Sequence, residues 1–254
     1  MKHRLLALIM LPALSAAAPF DPFGMATIDE RPGASVPLET RFRDSSGHDV
    51  TLREITAGRP FLLVPVLHDC PNFCGVTLDG LLAARERAGP AVRQAPVIAF
   101  GIDPRETGAA ARRSLEKLAA RHSAAMGRVF AVTGTADAIG RVTKALGYRY
   151  AYDPRIGQYA HVAATAVLTP DGRLVRWVYG IAPQPALLRA SLADAAAGRT
   201  GGVIDRLILL CYHYDPVEGR YGLAIDRLLK LGCLLTAAAL GAFIVASRRR
   251  ELRA

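Results

Sequence analysis

Positions 66 to 78 read VLHDCPNFCGVTL, with Cys70 and Cys74 four residues apart. An apolar run precedes the pair and a helical pattern follows it, so both cysteines belong at the predicted start of a helix. Unpaired backbone N–H groups and the helix dipole favour negative charge there. Thiolates are therefore stabilised, and a thiolate is both the nucleophile of redox chemistry and a metal ligand. At i and i+4 of a regular helix the Cβ atoms stand about 5–6 Å apart, enough for two sulfurs to flank one ion. A disulfide prefers Cβ atoms about 3.5–4.5 Å apart, which a distorted first turn can reach. Both a metal clamp and a redox couple are open to this pair. Stapling is not its purpose, because so small a loop restrains the unfolded chain little.

Two thiolates alone make a thin metal site, so a third ligand is expected among the six histidines. His3 lies in a leader. His48 stands in the polar turn 44–49 and His122 ends a helix, where an imidazolium complements the dipole. His68 is near Cys70, but a strand-end residue can point elsewhere. His161, in Gln158-Tyr159-Ala160-His161-Val162, is the stronger candidate because it immediately precedes a predicted strand. Two thiolates and an imidazole suit a soft ion at low coordination number, Cu(I) first, with Zn²⁺ and an open position as the competitor.

The elements that must position these groups alternate. Phe61 to Leu67 is a buried strand, although Pro65 weakens it. Gly75 to Arg87 is a helix, Pro96 to Ile102 a strand, and Asp103 to Thr107 opens a long helix carrying Leu115 and Leu118. Val129 to Val132 is a strand, and Ala136 to Leu146 a helix capped by Thr135 and stopped by Gly147. Val162 to Leu168 and Leu174 to Tyr179 form a hairpin around Pro170-Asp171-Gly172, and Pro183 to Ala197 is the last helix. This order predicts an α/β fold: a mixed sheet, parallel at its centre and flanked by helices, with the cysteines where the first strand meets its helix. That is the thioredoxin-like arrangement.

The segmentation expected is a signal peptide over 1–18, an irregular arm over 19–35, a thioredoxin-like domain over 36–198, a juxtamembrane segment over 199–226, a transmembrane helix over 227–247 and a cytoplasmic tail over 248–254. The leader has a basic head, a short apolar stretch and small residues at its exit. LLKLGCLLTAAALGAFIVAS, from Leu228 to Ser247, approaches the roughly 20 residues a span needs, and Arg248-Arg249-Arg250 would stay cytoplasmic. The main domain would then lie in the periplasm, held at the inner membrane. The net charge of +10 comes from scattered residues, which excludes a nucleic-acid stripe and suits work beside anionic lipid. Cys233 falls in the expected span as packing. Cys211 and His213 precede it among tyrosines that suit an interfacial belt, and they form a candidate auxiliary copper or thiol-exchange site.

Cys70-Pro71-Asn72-Phe73-Cys74, Gly101-Ile102-Asp103-Pro104-Arg105-Glu106-Thr107, and His161 ahead of a strand running into Leu168-Thr169-Pro170-Asp171-Gly172 together resemble the Sco/SenC family. The likeness runs from about Leu38 to Ile181. It implies a thioredoxin-like, membrane-tethered copper protein of cytochrome c oxidase assembly, with Cys70, Cys74 and His161 as metal ligands. The implied function is a chaperone that holds Cu(I) and delivers it to an oxidase subunit, subunit II by expectation, after receiving it from a periplasmic donor. The alternative is a tethered thiol–disulfide oxidoreductase that reduces the cysteines of an apo copper site. Two departures stand out. Gly75 follows the second cysteine where the family usually has Pro, and Ala160 precedes the histidine where an acidic residue is usual. A peroxidase of the same fold is disfavoured, because Leu67 and Leu63 stand where a reactive Cys70 would need Thr and Pro. A substrate-aligning proline is likewise replaced by Ala160-His161, which favours metal.

Overall fold

The computed structural model describes residues 21–69, 74–201, 214–215, 220–221, 230–237, 239–241 and 248. Its centre is made by three runs rich in β-branched and aromatic residues that bury both faces. These are β3 (Phe61–Val66), β4 (Val97–Gly101) and β5 (Val129–Thr133), and they pair in parallel. Pro65 is tolerated because β8 (Ala164–Leu168) pairs with β3 only over Phe61 to Leu63, short of the missing N–H. β8 and β9 (Leu174–Tyr179) form the expected antiparallel hairpin. On the other edge a second hairpin, β1 (Arg41–Asp44) and β2 (Asp49–Thr51), pairs through β1 with β5. The sheet order is β2-β1-β5-β4-β3-β8-β9. A separate two-stranded ribbon, β6 (Ala151–Asp153) and β7 (Gln158–Ala160), leads directly into His161.

Alternation along β3 divides the core. Leu62, Val64 and Val66 face the side covered by α3 (Cys74–Arg87), α5 (Gly108–Arg121) and α7 (Pro185–Ala196), where Leu78, Leu81, Leu82, Leu118 and Leu188 are buried. Phe61 and Leu63 face α2 (Leu52–Thr56) and α6 (Ala136–Ala145), beside Leu52, Ile139 and Val142. The mixed α/β sheet flanked by helices is therefore present. The Thr135 hydroxyl accepts from the N–H of Ala138, the capping bond expected of it. Gly147 at φ 68° ends α6, and a side chain there would strike the Asp29 carbonyl at 2.0 Å.

Three details differ from expectation. Residues 103–107 form a turn, and α5 begins only at Gly108. The Asp103 carboxylate accepts from the Arg105 N–H at 2.9 Å, and this side-chain turn competes with helix. The arm contains a single helical turn, α1 (Pro22–Met25), and touches the domain through the bridges Ile28–Tyr148 and Ser35–Arg173. The C-terminal transmembrane helix is not borne out: among the described residues no helix is long and apolar enough to cross a membrane. The leader 1–18, Cys211, His213 and the arginines Arg249 and Arg250 lie outside the described residues.

Candidate metal centre

Strand β3 ends at Val66, and the chain turns through His68 and Asp69 into Cys70. That approach is fixed from two sides. The Asp69 N–H donates to Glu106 Oε1 at 2.9 Å, and the Asp69 carboxylate takes Arg113 of α5 at 2.8 and 3.0 Å. Cys70, Pro71, Asn72 and Phe73 lie outside the described residues, as does the side chain of Cys74. Cys74 is nonetheless the first residue of the fourteen-residue α3, so the dipole argument for a thiolate applies at its position. Among the described residues no group of three His, Cys, Asp or Glu side chains is placed to hold a metal ion.

His68 is turned inward, 5% exposed, with Nε2 3.1 Å from the Val132 carbonyl. A carbonyl only accepts, so Nε2 carries the proton. Burial lowers the pKa of this ring, more than the Val132 bond raises it. Its Nδ1 is buried without a hydrogen-bond partner. His122 spends its Nε2 on Asp79 of α3 at 3.1 Å, and His48 is exposed in the β1–β2 turn beside Asp44.

His161 sits between β7 and β8, half-buried. β8 runs antiparallel to β3, so the N-terminal end of β8, which follows His161 by three residues, lies on the side of the sheet where β3 ends and the chain continues to His68 and Asp69. Burial lowers the pKa of the His161 imidazole, more than a hydrogen bond to the Val162 backbone raises it, and so favours the neutral form that ligates metals. Its Nδ1 lies 3.1 Å from the hydroxyl of Tyr148, which also donates to the Val162 carbonyl at 2.8 Å. Tyr148 stacks on Trp177 with ring centres 5.4 Å apart, while Tyr150, Tyr159 and Tyr152 continue outward at 5.2 to 6.3 Å steps to Arg105 over the Tyr152 ring.

Glu106 belongs to the Gly101-to-Thr107 motif, and the sequence alone assigns it no role. Burial, and then the neighbouring Asp103 and Asp69 charges, push its carboxyl up to about 7. Its Oε2 is buried without a partner and packs against Gly101, where an added Cβ would meet it at 3.1 Å and His68 at 3.0 Å. Tyr148 carries no local signal, since thirteen residues separate it from the histidine it touches. At the departure Gly75, an added Cβ would come within 3.9 Å of the Arg121 guanidinium, which pairs with Asp79 at 2.9 Å. A small cavity of about 50 Å³ lies here, lined by His68, Gly75, Leu78, Lys117 and Arg121 among others.

Residues 30–196 match the family model described as SCO1/SenC. No curated protein sequence is significantly similar to this chain. Among solved structures, a protein of Aquifex aeolicus VF5 superposes with a TM-score of 0.57 at 21% identity, over 65% of this chain and 94% of its own. Arabidopsis thaliana ScoI with copper bound gives 0.51 at 17%, over 66% and 98%. BsSco, a member of the Sco family of cytochrome c oxidase assembly proteins in which a disulfide switch was identified, gives 0.50 at 17%, over 66% and 97%. At such identities the likeness establishes the thioredoxin-like fold, and the family match spans more than half of the sequence: this chain belongs to the SCO1/SenC family.

Proposed function

We propose that this protein is a copper chaperone that binds Cu(I) through Cys70, Cys74 and His161 and hands it on during cytochrome c oxidase assembly. The observation that carries the reading is the placement of His161. A half-buried imidazole precedes β8, the antiparallel neighbour of the strand that leads toward Cys70, and its Nδ1 lies 3.1 Å from the hydroxyl of Tyr148, thirteen positions earlier; this arrangement supports the reading. Two thiols at a helix start and one neutral imidazole are a soft donor set, as Cu(I) prefers. Copper-bound ScoI of Arabidopsis thaliana and the assembly role printed for BsSco support the same assignment. Copper is cargo here, bound and released by ligand exchange, and no substrate is turned over. The receiving protein would be an oxidase subunit, subunit II by expectation, with a periplasmic copper donor or thiol reductant upstream. A periplasmic location rests on the leader sequence 1–18.

Anaerobic titration of the reduced full chain with Cu(I), against a competing chelator, tests this. The expected stoichiometry is one ion per chain, lost in Cys70→Ser and Cys74→Ser and on oxidation of the pair. His161→Ala should bind at least about 10-fold more weakly. Equal affinity in His161→Ala removes the histidine from the ligand set. Copper-independent reduction of a cysteine pair in the receiving subunit would favour the oxidoreductase reading instead.

A further inference from the structure

The hydroxyl of Tyr148 carries one proton and has two close neighbours, the Val162 carbonyl at 2.8 Å and His161 Nδ1 at 3.1 Å. The carbonyl oxygen has no proton to give, and two oxygens at 2.8 Å without a proton between them would repel. The phenolic proton therefore points to Val162. The contact with the imidazole must then run the other way, from Nδ1–H to the phenolic oxygen. A ring protonated at Nδ1 has its lone pair at Nε2.

We infer that Tyr148 is the positioning residue of the metal centre: it holds His161 as the Nδ1–H tautomer and leaves Nε2 as the atom that grips copper. The inference rests on the copper reading above and adds to it the ligating atom and the side chain that selects it. Metal-bound histidines commonly donate their second ring N–H to a carboxylate, carbonyl or water, which fixes tautomer and ring orientation. The position ahead of His161 cannot supply such a partner here. Ala160 has no polar group and is itself 5% exposed, paired with Ala151 inside the β6–β7 ribbon. A phenol from a distant segment takes the task.

Tyr148 is built to hold that position. It is 3% exposed, its ring stacks on Trp177, and its own N–H donates to the Thr143 carbonyl at 2.9 Å. The preceding Gly147 adopts φ 68° to turn the chain off α6, and the arm straps the far side through Asp29 N–H to Gly147 and Arg149 N–H to Thr27, both at 2.8 Å. The phenolic oxygen is therefore preorganised rather than recruited when metal arrives, and the arm reaches the metal centre through it.

The test begins with unmutated full-length protein labelled at its histidine nitrogens. Nitrogen NMR of the reduced, metal-free chain should show His161 protonated at Nδ1, and that Nδ1–H should persist after one equivalent of Cu(I) is added anaerobically. Loss of the Nδ1–H on loading, or a ring protonated at Nε2 beforehand, overturns the proposal. Tyr148→Phe keeps the ring on Trp177 and removes only the hydroxyl. It should bind Cu(I) about 10–100-fold more weakly at unchanged stoichiometry, with the metal-free ring now a mixture of tautomers. Unchanged affinity and an unchanged tautomer in Tyr148→Phe, in protein where His161→Ala is weakened, reject the role of Tyr148 and leave the copper reading intact. Unchanged affinity in His161→Ala rejects the copper reading itself. The wild-type spectra decide the question even if the phenylalanine variant does not fold.

Discussion

Glu106 is the residue whose surroundings conflict most with its charge. Its carboxylate fastens the peptide N–H of Asp69, one residue before Cys70, yet burial and two neighbouring aspartates push it up to about 7. The folded pKa is thus above the ordinary carboxyl value of 4.5. The folded state binds more proton than the unfolded one between these values, so the stability contributed is fully present below about 4.5 and is lost as pH rises through about 7. The span has an upper bound of about 3.4 kcal/mol. Glu106→Gln keeps a carbonyl oxygen for the Asp69 N–H and removes the titration. Urea unfolding at pH 5 and pH 8 should show the variant gaining on the wild type as pH rises. Parallel stability curves across that range would mean that Glu106 is not the group responsible. His68 supplies a second lesson at this scale. Its closeness to Cys70 in sequence suggested a ligand, but strand-end geometry sent Nε2 to the Val132 carbonyl instead.

At the scale of elements, α3 must be held firmly because its first residue is Cys74. Its far end is fixed by Arg85, which is 1% exposed and donates to the carbonyls of Val92, Arg93, Ala95, Ala125 and Gly127. One guanidinium thereby closes the ends of α4 (Pro90–Arg93) and of the loop after α5. Burial lowers its pKa to about 10, still charged at neutral pH. Arg85→Ala would strand several buried carbonyls, each worth about 1–3 kcal/mol when unsatisfied. Equilibrium unfolding should fall by at least about 3 kcal/mol, with one Cu(I) still bound by the folded fraction. A loss under about 1 kcal/mol would show that water replaces the guanidinium without difficulty. The sequence hid this tie because arginine at a helical surface position reads as solvated. Only the convergence of three chain segments makes it interior.

For the molecule as a whole, metal binding and folding are linked. A ligand held by the native state alone at 100 times its dissociation constant stabilises by about 2.7 kcal/mol. For a domain of this size that is about 5–10 °C in Tm. Reduced full-length protein should show the increase on anaerobic addition of Cu(I), and chain oxidised at Cys70 and Cys74 should not. Equal shifts in both states would place the copper elsewhere than on the thiols. The seven-stranded sheet makes such linkage natural. In sequence Cys70 follows the buried strand β3 and His161 precedes its neighbour β8, so the proposed ligands flank two adjacent strands of the core.

Much of this was legible in the linear chain. Apolar runs at Phe61, Val97 and Val129 and the caps at Thr135 and Gly147 all act locally, and local chemistry is written in local sequence. The hairpin at Arg41 and the β6–β7 ribbon were missed because strands of three or four residues are too short to show a periodicity. The C-terminal apolar stretch predicted a span, and among the described residues no helix is long and apolar enough to cross a membrane; hydropathy records composition and does not by itself define a helix. Tertiary structure alone decided that Glu106 holds the Asp69 N–H, that Arg85 is interior, and that a phenol thirteen residues away meets His161. Burial, tautomer and hydrogen-bond partner depend on which distant segments share a site, and no spacing rule in one segment encodes that.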